Sequence, residues 1–126
     1  MNQFLESREL IRRLKKGFPV RLEDDEVRLP RFTETVEVDG DEYGASGSMQ
    51  LIVAQSRTAT WCIWAANRKA KVGAKDGKRF MKVLEAVAER YPQRPVRGWL
   101  LTPAVIDDAV RNQLTEAGHY AHRVPL

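Results

Sequence analysis

The sequence predicts a mixed α/β fold, in which a central sheet has helices on both sides. Two apolar runs of strand length, 51–54 and 61–65, are separated by a short polar stretch, a pattern that suits two antiparallel strands covered on both faces. A helical pattern over 76–91 precedes a further apolar run, 96–101. A helix between two strands implies a crossover and parallel pairing. The predicted sheet is therefore antiparallel in its first half and parallel in its second, with the element order α-β-β-β-α-β-α-β.

The N-terminal part predicts one helix and one strand. Residues 2–16 place apolar side chains such as Ile11 and Leu14 near one stripe among basic ones, which is typical of an amphipathic helix. Gly17 is expected to end that helix, and the acidic residues 23–26 are interpreted as a solvated loop or turn.

The stretch from 32 to 48 predicts a strand, a turn and an ambiguous segment. Residues 32–38 alternate apolar and polar side chains, as a half-buried strand does. Residues 39–41, Asp-Gly-Asp, are a turn signal. Residues 41–48 are rich in glycine and serine, and either a mobile segment or a short strand that continues into the next one fits them.

The second half predicts two helices and two strands. The helix over 76–91 has the clearest apolar periodicity in the chain. Thr102 and Pro103 are expected to open the next helix as its cap and first-turn residue, and Gly118 is expected to end it. Residues 119–124 predict a last short strand.

Length and composition indicate one globular domain over residues 1–126. The chain is 43% hydrophobic and 30% charged, which is ordinary for such domains, and it contains no run of the roughly 20 apolar residues that span a bilayer. The N-terminus lacks the features of a signal peptide. The single cysteine, Cys62, lies inside an apolar run and is expected to be a small buried side chain. Together these features predict a cytoplasmic protein without a membrane partner.

The charges of the chain are unevenly distributed. Residues 1–48 carry 8 basic and 11 acidic side chains, whereas residues 66–97 carry 10 basic and 3 acidic ones. A segment with a net charge of +7, from 10 minus 3, favours a polyanionic partner such as DNA. The expected phosphate-binding residues are Arg68, Lys69, Lys71, Lys75, Lys78 and Arg79.

Three stretches carry a resemblance to a known superfamily: QLIVAQ with WCIWAANRKAKVG, GKRFMKVLEAVAERYP, and RGWLLTPAVIDDAVRNQLTEAGHY. With the order of the elements, they resemble the restriction-endonuclease-like, or PD-(D/E)XK, nucleases, and within them the branch of Holliday-junction resolvases and Mrr-type enzymes. The resemblance covers about residues 2–124. It implies a nuclease-like fold and a DNA partner.

The resemblance also implies where a catalytic site would lie. In the superfamily, an acidic residue opens the first hairpin strand and Glu-x-Lys closes the second, so that two carboxylates hold Mg²⁺ and the metal assists attack on a phosphate. The alignment places Gln50, Trp64 and Ala66 at these three positions. None of them is a carboxylate, so the resemblance implies a degenerate site with no catalytic residue, no metal and no cofactor.

Three functions remain open. The sequence favours a nucleic-acid-binding domain on a nuclease-like scaffold. The first alternative is an active Mg²⁺-dependent DNA endonuclease with relocated ligands; residues 49–65 contain no acid, so Lys69 and acids from elsewhere would have to serve. Those acids are Glu6, Glu9, Glu37, Asp39, Asp41 and Glu42. The second alternative is a non-catalytic interaction domain, in which Trp64 fills the former metal cavity and supports a homodimer or a contact with a larger protein.

The aromatic and histidine residues favour structural roles. Trp61, Trp64 and Trp99 lie inside apolar strands and are expected to pack in the core rather than stack on bases. His119 and His122 flank Tyr120 without a third metal ligand, and they are expected to be exposed residues of an edge strand.

Overall fold

The computed structural model describes residues 7–16, 19–23, 25–45 and 49–124. Its regular elements are three helices and seven strands in these ranges. In chain order they are α1 (Ser7–Lys16), β1 (Pro19–Leu22), β2 (Asp25–Arg28), β3 (Phe32–Asp39), β4 (Gln50–Ser56), β5 (Thr60–Ala65), α2 (Ala74–Arg90), β6 (Val96–Thr102), α3 (Asp108–Glu116) and β7 (Tyr120–Arg123).

The main sheet has five strands in the order β3-β4-β5-β6-β7. The pairs β3–β4 and β4–β5 are antiparallel, and the pairs β5–β6 and β6–β7 are parallel. This confirms the predicted mixed sheet, and the predicted element order matches apart from one hairpin. The hairpin of β1 and β2 is an addition that the sequence analysis missed, because the acidic residues at its turn suggested a solvated loop.

Helices cover both faces of the sheet, as predicted. Successive residues of a strand point to opposite faces, so the strands contribute to two cores. On one face, Leu51, Cys62 and Trp64 pack with side chains of α2 and α3. On the other, Ile52 and Ile63 pack with α1 and the β1–β2 hairpin.

Helix α3 begins later than predicted. Asp107, rather than Thr102, caps it, and the Asp107 Oδ1 accepts the Ala109 N–H at 3.3 Å. Thr102 is the last residue of β6, and its Oγ1 accepts the Ala104 N–H at 3.1 Å. The chain between them bends at residues 103–104 and then forms an isolated parallel bridge between Ile106 and Val72, which the local sequence does not reveal.

The ambiguous segment 41–48 contains a short 3₁₀ helix, Gly40–Tyr43. The Asp39 carboxylate caps it by accepting the Asp41 N–H at 3.2 Å. The alternative that predicted a strand is therefore wrong for residues 41–43. Residues 46–48, like Gly17 and residues 2–6 of the predicted first helix, lie outside the described residues.

None of the helices in the described part of the chain combines the length and hydropathy that a bilayer crossing demands.

Candidate functional site

The three hairpin positions of the superfamily motif do not converge on one face of the sheet. Leu51 pairs with Trp64 across β4 and β5, so these two side chains share a face, and Gln50 points to the opposite one because side chains alternate along a strand. Continuing the register places Gln50 opposite Ala65. Trp64 and Ala66 therefore lie on the face of the sheet opposite to Gln50. The sequence could not show this, because strands that are apolar on both faces carry no alternation that fixes the register.

Trp64 and Ala66 belong to the core between the sheet and α2. Their exposed fractions are 3% and 4%. The Trp64 ring lies 5.5 Å from the Phe80 ring, measured between centroids. The Arg68 guanidinium lies over the same ring, 5.7 Å from its centroid. Trp64 is thus a packing residue, as are Trp61 and Trp99, which confirms the expectation of buried tryptophans.

The basic residues after β5 fall into two groups, and Asp76 holds the first. Its Oδ2 accepts hydrogen bonds from Arg68 Nη2 at 2.6 Å and from the Gly73 N–H at 3.1 Å. Its Oδ1 lies 3.5 Å from Arg79 Nη1. Arg68 and Arg79 are therefore partly buried ion-pair partners that brace the first turn of α2.

The charge state of Asp76 follows from these contacts. Its burial acts to raise its pKa, but the hydrogen bonds from Arg68 and Gly73 and the charges of Arg68 and Arg79 outweigh burial, so the pKa lies below the ordinary value. The carboxylate stays ionised at neutral pH. The single negative charge of Asp76 thus offsets one of the two arginine charges.

The second group consists of exposed lysines. Lys69 and Lys71 lie in the loop after β5, and Lys75 and Lys78 lie in the first turns of α2. Residues three or four apart share a helix face, so Lys82, which is also exposed, extends the row formed by Lys75 and Lys78. We call Lys69, Lys71, Lys75 and Lys78 the lysine patch.

Two solved structures share this architecture. They are EndoMS in apo form, with a TM-score of 0.58, and an EndoMS–dsDNA complex, with a TM-score of 0.51. Each is 12% identical in sequence, and they cover 100% and 98% of this chain.

The fold is restriction-endonuclease-like. At 12% identity the likeness establishes this fold alone. This chain spans about half the length of the EndoMS chains that it matches, 48% and 46%. No family model and no curated protein sequence matches it.

Strands β4 and β5 supply no carboxylate for a magnesium ion at the hairpin of this restriction-endonuclease-like fold. Gln50 offers a neutral amide, Ala65 beside it has no side-chain oxygen, and residues 49–65 contain no carboxylate, whereas Mg²⁺ is bound through carboxylates. Within the described ranges, no three His, Cys, Asp or Glu side chains lie close enough to hold a metal ion.

Of the carboxylates of the relocated-ligand alternative, that of Asp39 lies next to Gln50, because these two residues pair across β3 and β4. Glu9 is paired with Arg12 at 2.6 Å and Arg13 at 3.3 Å; the hydrogen bond from Arg12 is the largest influence on its pKa, which is lowered. Asp39 caps the 3₁₀ helix. Glu6 lies outside the described residues.

A polar site that the sequence analysis missed lies at the other edge of the sheet. His122 is only 4% exposed, so its predicted exposure was wrong, and His119 is half-buried. The Trp99 Nε1–H donates to His122 Nδ1 at 2.9 Å, and His122 Nε2 lies 2.8 Å from Asp25 Oδ2. An indole N–H is a donor only. Nδ1 is therefore the acceptor, and Nε2 carries the proton that faces Asp25.

A cavity of about 370 Å³ lies beside His122 and Asp25. His119 Nδ1 accepts the Gly98 N–H at 2.8 Å, and burial together with the charge of Arg97 lowers the pKa of His119. Arg111 forms a bidentate pair with Glu23 at 2.9 and 3.3 Å. The contacts of Arg111 with Glu23 and of His122 with Asp25 attach the β1–β2 hairpin to α3 and β7. The sequence contains no signal for them, because the partners are up to 97 residues apart.

Proposed function

We propose that this chain is a DNA-binding domain that holds DNA without cleaving it. The observation that carries the proposal is the lysine patch, because its four side chains are exposed at the end of β5 and the start of α2. Lysines of this kind neutralise phosphates with little sequence preference and with strong dependence on salt. DNA is the partner, and no membrane or cofactor is involved.

The hairpin supports the non-cleaving part of the proposal. A nuclease of this class needs carboxylates beside a divalent ion, and β4 and β5 supply none. The Trp64 side chain is buried in the core. The nuclease-like scaffold is thus proposed to serve binding after losing its catalytic side chains.

The likeness to the EndoMS–dsDNA complex supports DNA as the polyanion, since it shows that a protein of this fold binds a duplex. The ion-paired Arg68 and Arg79 are assigned a supporting role. They fix the first turn of α2, and the lysines on that turn meet the phosphates.

The test is binding of a labelled DNA duplex to a variant with Lys69, Lys71, Lys75 and Lys78 replaced by Glu. We expect affinity to fall by roughly 30-fold or more at low salt, because several phosphate contacts are lost. The matched control replaces Lys15, Arg28, Arg31 and Arg57, four exposed cations elsewhere, by Glu. The control has the same net charge and should retain affinity within about threefold.

Equal loss in both variants would show that overall charge, and not this patch, attracts DNA. No loss in either would favour the protein-interaction alternative, with a homodimer or a larger partner. Incubation with duplex, branched and single-stranded DNA in Mg²⁺ or Mn²⁺ tests cleavage separately. Cleavage that a chelator stops would overturn the non-cleaving assignment and establish the endonuclease alternative.

A further inference from the structure

Strand β3 is an edge strand of the main sheet. β4 is its only partner strand among residues 7–16, 19–23, 25–45 and 49–124. It is eight residues long, with one register irregularity between Phe32 and Glu34, and it pairs regularly from Glu34 to Asp39. Such an edge offers a row of backbone N–H and C=O groups to an incoming strand.

Charged side chains, lysine above all, and proline commonly protect an edge strand. Strand β3 contains no lysine, arginine or proline, and all its charged side chains are acidic. These acidic residues are Glu34, Glu37 and Asp39, and Asp41 and Glu42 follow in the 3₁₀ helix. The edge is therefore acidic, which gives it a charge opposite to that of the lysine patch.

An apolar side chain and a cavity lie beside the edge. Val36 is 42% exposed and points to the α2 face, because it pairs with the core residue Val53. A cavity of about 300 Å³ is lined there by Val36, Val53 and Tyr91, with Gln55 and Arg94 on its polar side. Arg94 Nη1 donates to Gln55 Oε1 at 3.2 Å. Glu37 lies on the opposite face of the strand, since it pairs with Ile52.

The charge of the edge disfavours a second copy of this chain as its occupant. Pairing of β3 with β3 would bring Glu34, Glu37 and Asp39 of both copies onto one strand pair, and like charges across strands are destabilising. A strand rich in lysine or arginine would instead be attracted.

We propose that the outer edge of β3 binds an extended basic segment of another protein by strand addition. Backbone hydrogen bonds hold the segment, and its alternate side chains select it. An apolar side chain lies beside Val36 over the cavity. On the other face, basic side chains of the segment lie beside Glu37.

The test uses a fluorescein-labelled heptapeptide of alternating Lys and Val, with anisotropy as the readout. We expect saturable binding to the wild-type protein, and at least tenfold weaker binding to Glu34→Lys/Glu37→Lys and to Val36→Lys. Two control peptides, with Glu in place of every Lys or Pro in place of the central Val, should bind at least tenfold more weakly than the parent. Glu34→Gln/Glu37→Gln, which removes charge alone, should weaken binding at least threefold at low salt.

The lysine-patch variant separates this site from the DNA site. It should lose DNA and bind the peptide within twofold of the wild-type affinity. Peptide binding that is absent in the wild type, or unchanged by both Val36→Lys and Glu34→Gln/Glu37→Gln, would overturn the proposal. A concentration-dependent dimer in sedimentation that Val36→Lys dissociates would also overturn it, since the occupant would then be a second copy.

Discussion

The buried indole of Trp99 donates its only N–H to Nδ1 of His122 at 2.9 Å. Trp99 lies on β6 and His122 on β7, and His122 continues the contact to Asp25 of β2 at 2.8 Å. Two hydrogen bonds thus join β6, β7 and β2, and the bond between Trp99 and His122 lies in the core.

Replacement of His122 by Phe should destabilise the protein by about 1–3 kcal/mol. The change leaves the Trp99 N–H buried without an acceptor, which costs its desolvation free energy. Urea unfolding followed by tryptophan fluorescence measures the difference. Asp25→Ala is the comparison, because its side chain is 60% exposed and its loss should cost less than about 1 kcal/mol. Equal costs would contradict a dominant Trp99–His122 bond.

Asp76→Asn should lower the free energy of unfolding by about 1–3 kcal/mol at neutral pH, since two partly buried arginines lose a charged partner. The pKa of Asp76 is lowered in the folded state. Its contribution is therefore fully present above the unfolded value of about 3.9, and it is lost as the pH falls through the folded pKa. Urea melts of both proteins at pH 7 and over the acidic range should converge as the pH falls. A difference that stayed constant would exclude the charge as its cause.

Each lysine of the patch that contacts a phosphate should contribute about 0.9 to the slope of log K against log salt concentration. Lys75→Gln should therefore reduce the slope without lowering the melting temperature. Arg68→Gln should instead lower the melting temperature and leave the slope unchanged, because Arg68 is bound to Asp76. Titrations at four salt concentrations, paired with thermal melts, distinguish them. Identical effects of the two changes would contradict the division into lysine and arginine groups.

Trp64→Ala should cost about 3–5 kcal/mol, the usual range for removal of a large buried aromatic side chain. Trp64→Phe should cost less, because Phe keeps a ring against Phe80. Equilibrium unfolding measures both. A cost near zero for Trp64→Ala would show that the residue lines an open site rather than the core.

The thiol of Cys62 should be unreactive in the folded protein. Burial raises its pKa to about 12, and the thiolate is the reactive form. A chromogenic disulfide reagent at pH 8 should modify Cys62 only in denaturant. Rapid modification without denaturant would show that β5 opens locally.

The main sheet could be predicted because its signals are local. The apolar runs in β4, β5 and β6 and the helical period of α2 each fall within a few consecutive residues, and the crossover rule then fixed parallel pairing. The missed hairpin β1–β2 shows the limit of such signals. Its acidic turn resembles a solvated loop, and only Arg111 and His122, far along the chain, explain why Glu23 and Asp25 lie there.

The candidate site divides in the same way. The sequence by itself determined that the hairpin lacks carboxylates and that a basic segment follows it, because both are matters of composition. Tertiary structure decided which of these residues face one another. It placed Gln50 and Trp64 on opposite faces of the sheet. It also paired Arg68 and Arg79 with Asp76, whereas the lysines stayed exposed. The physical reason is that strand register and ion pairing depend on neighbours brought together by folding, which the order of residues along the chain does not specify.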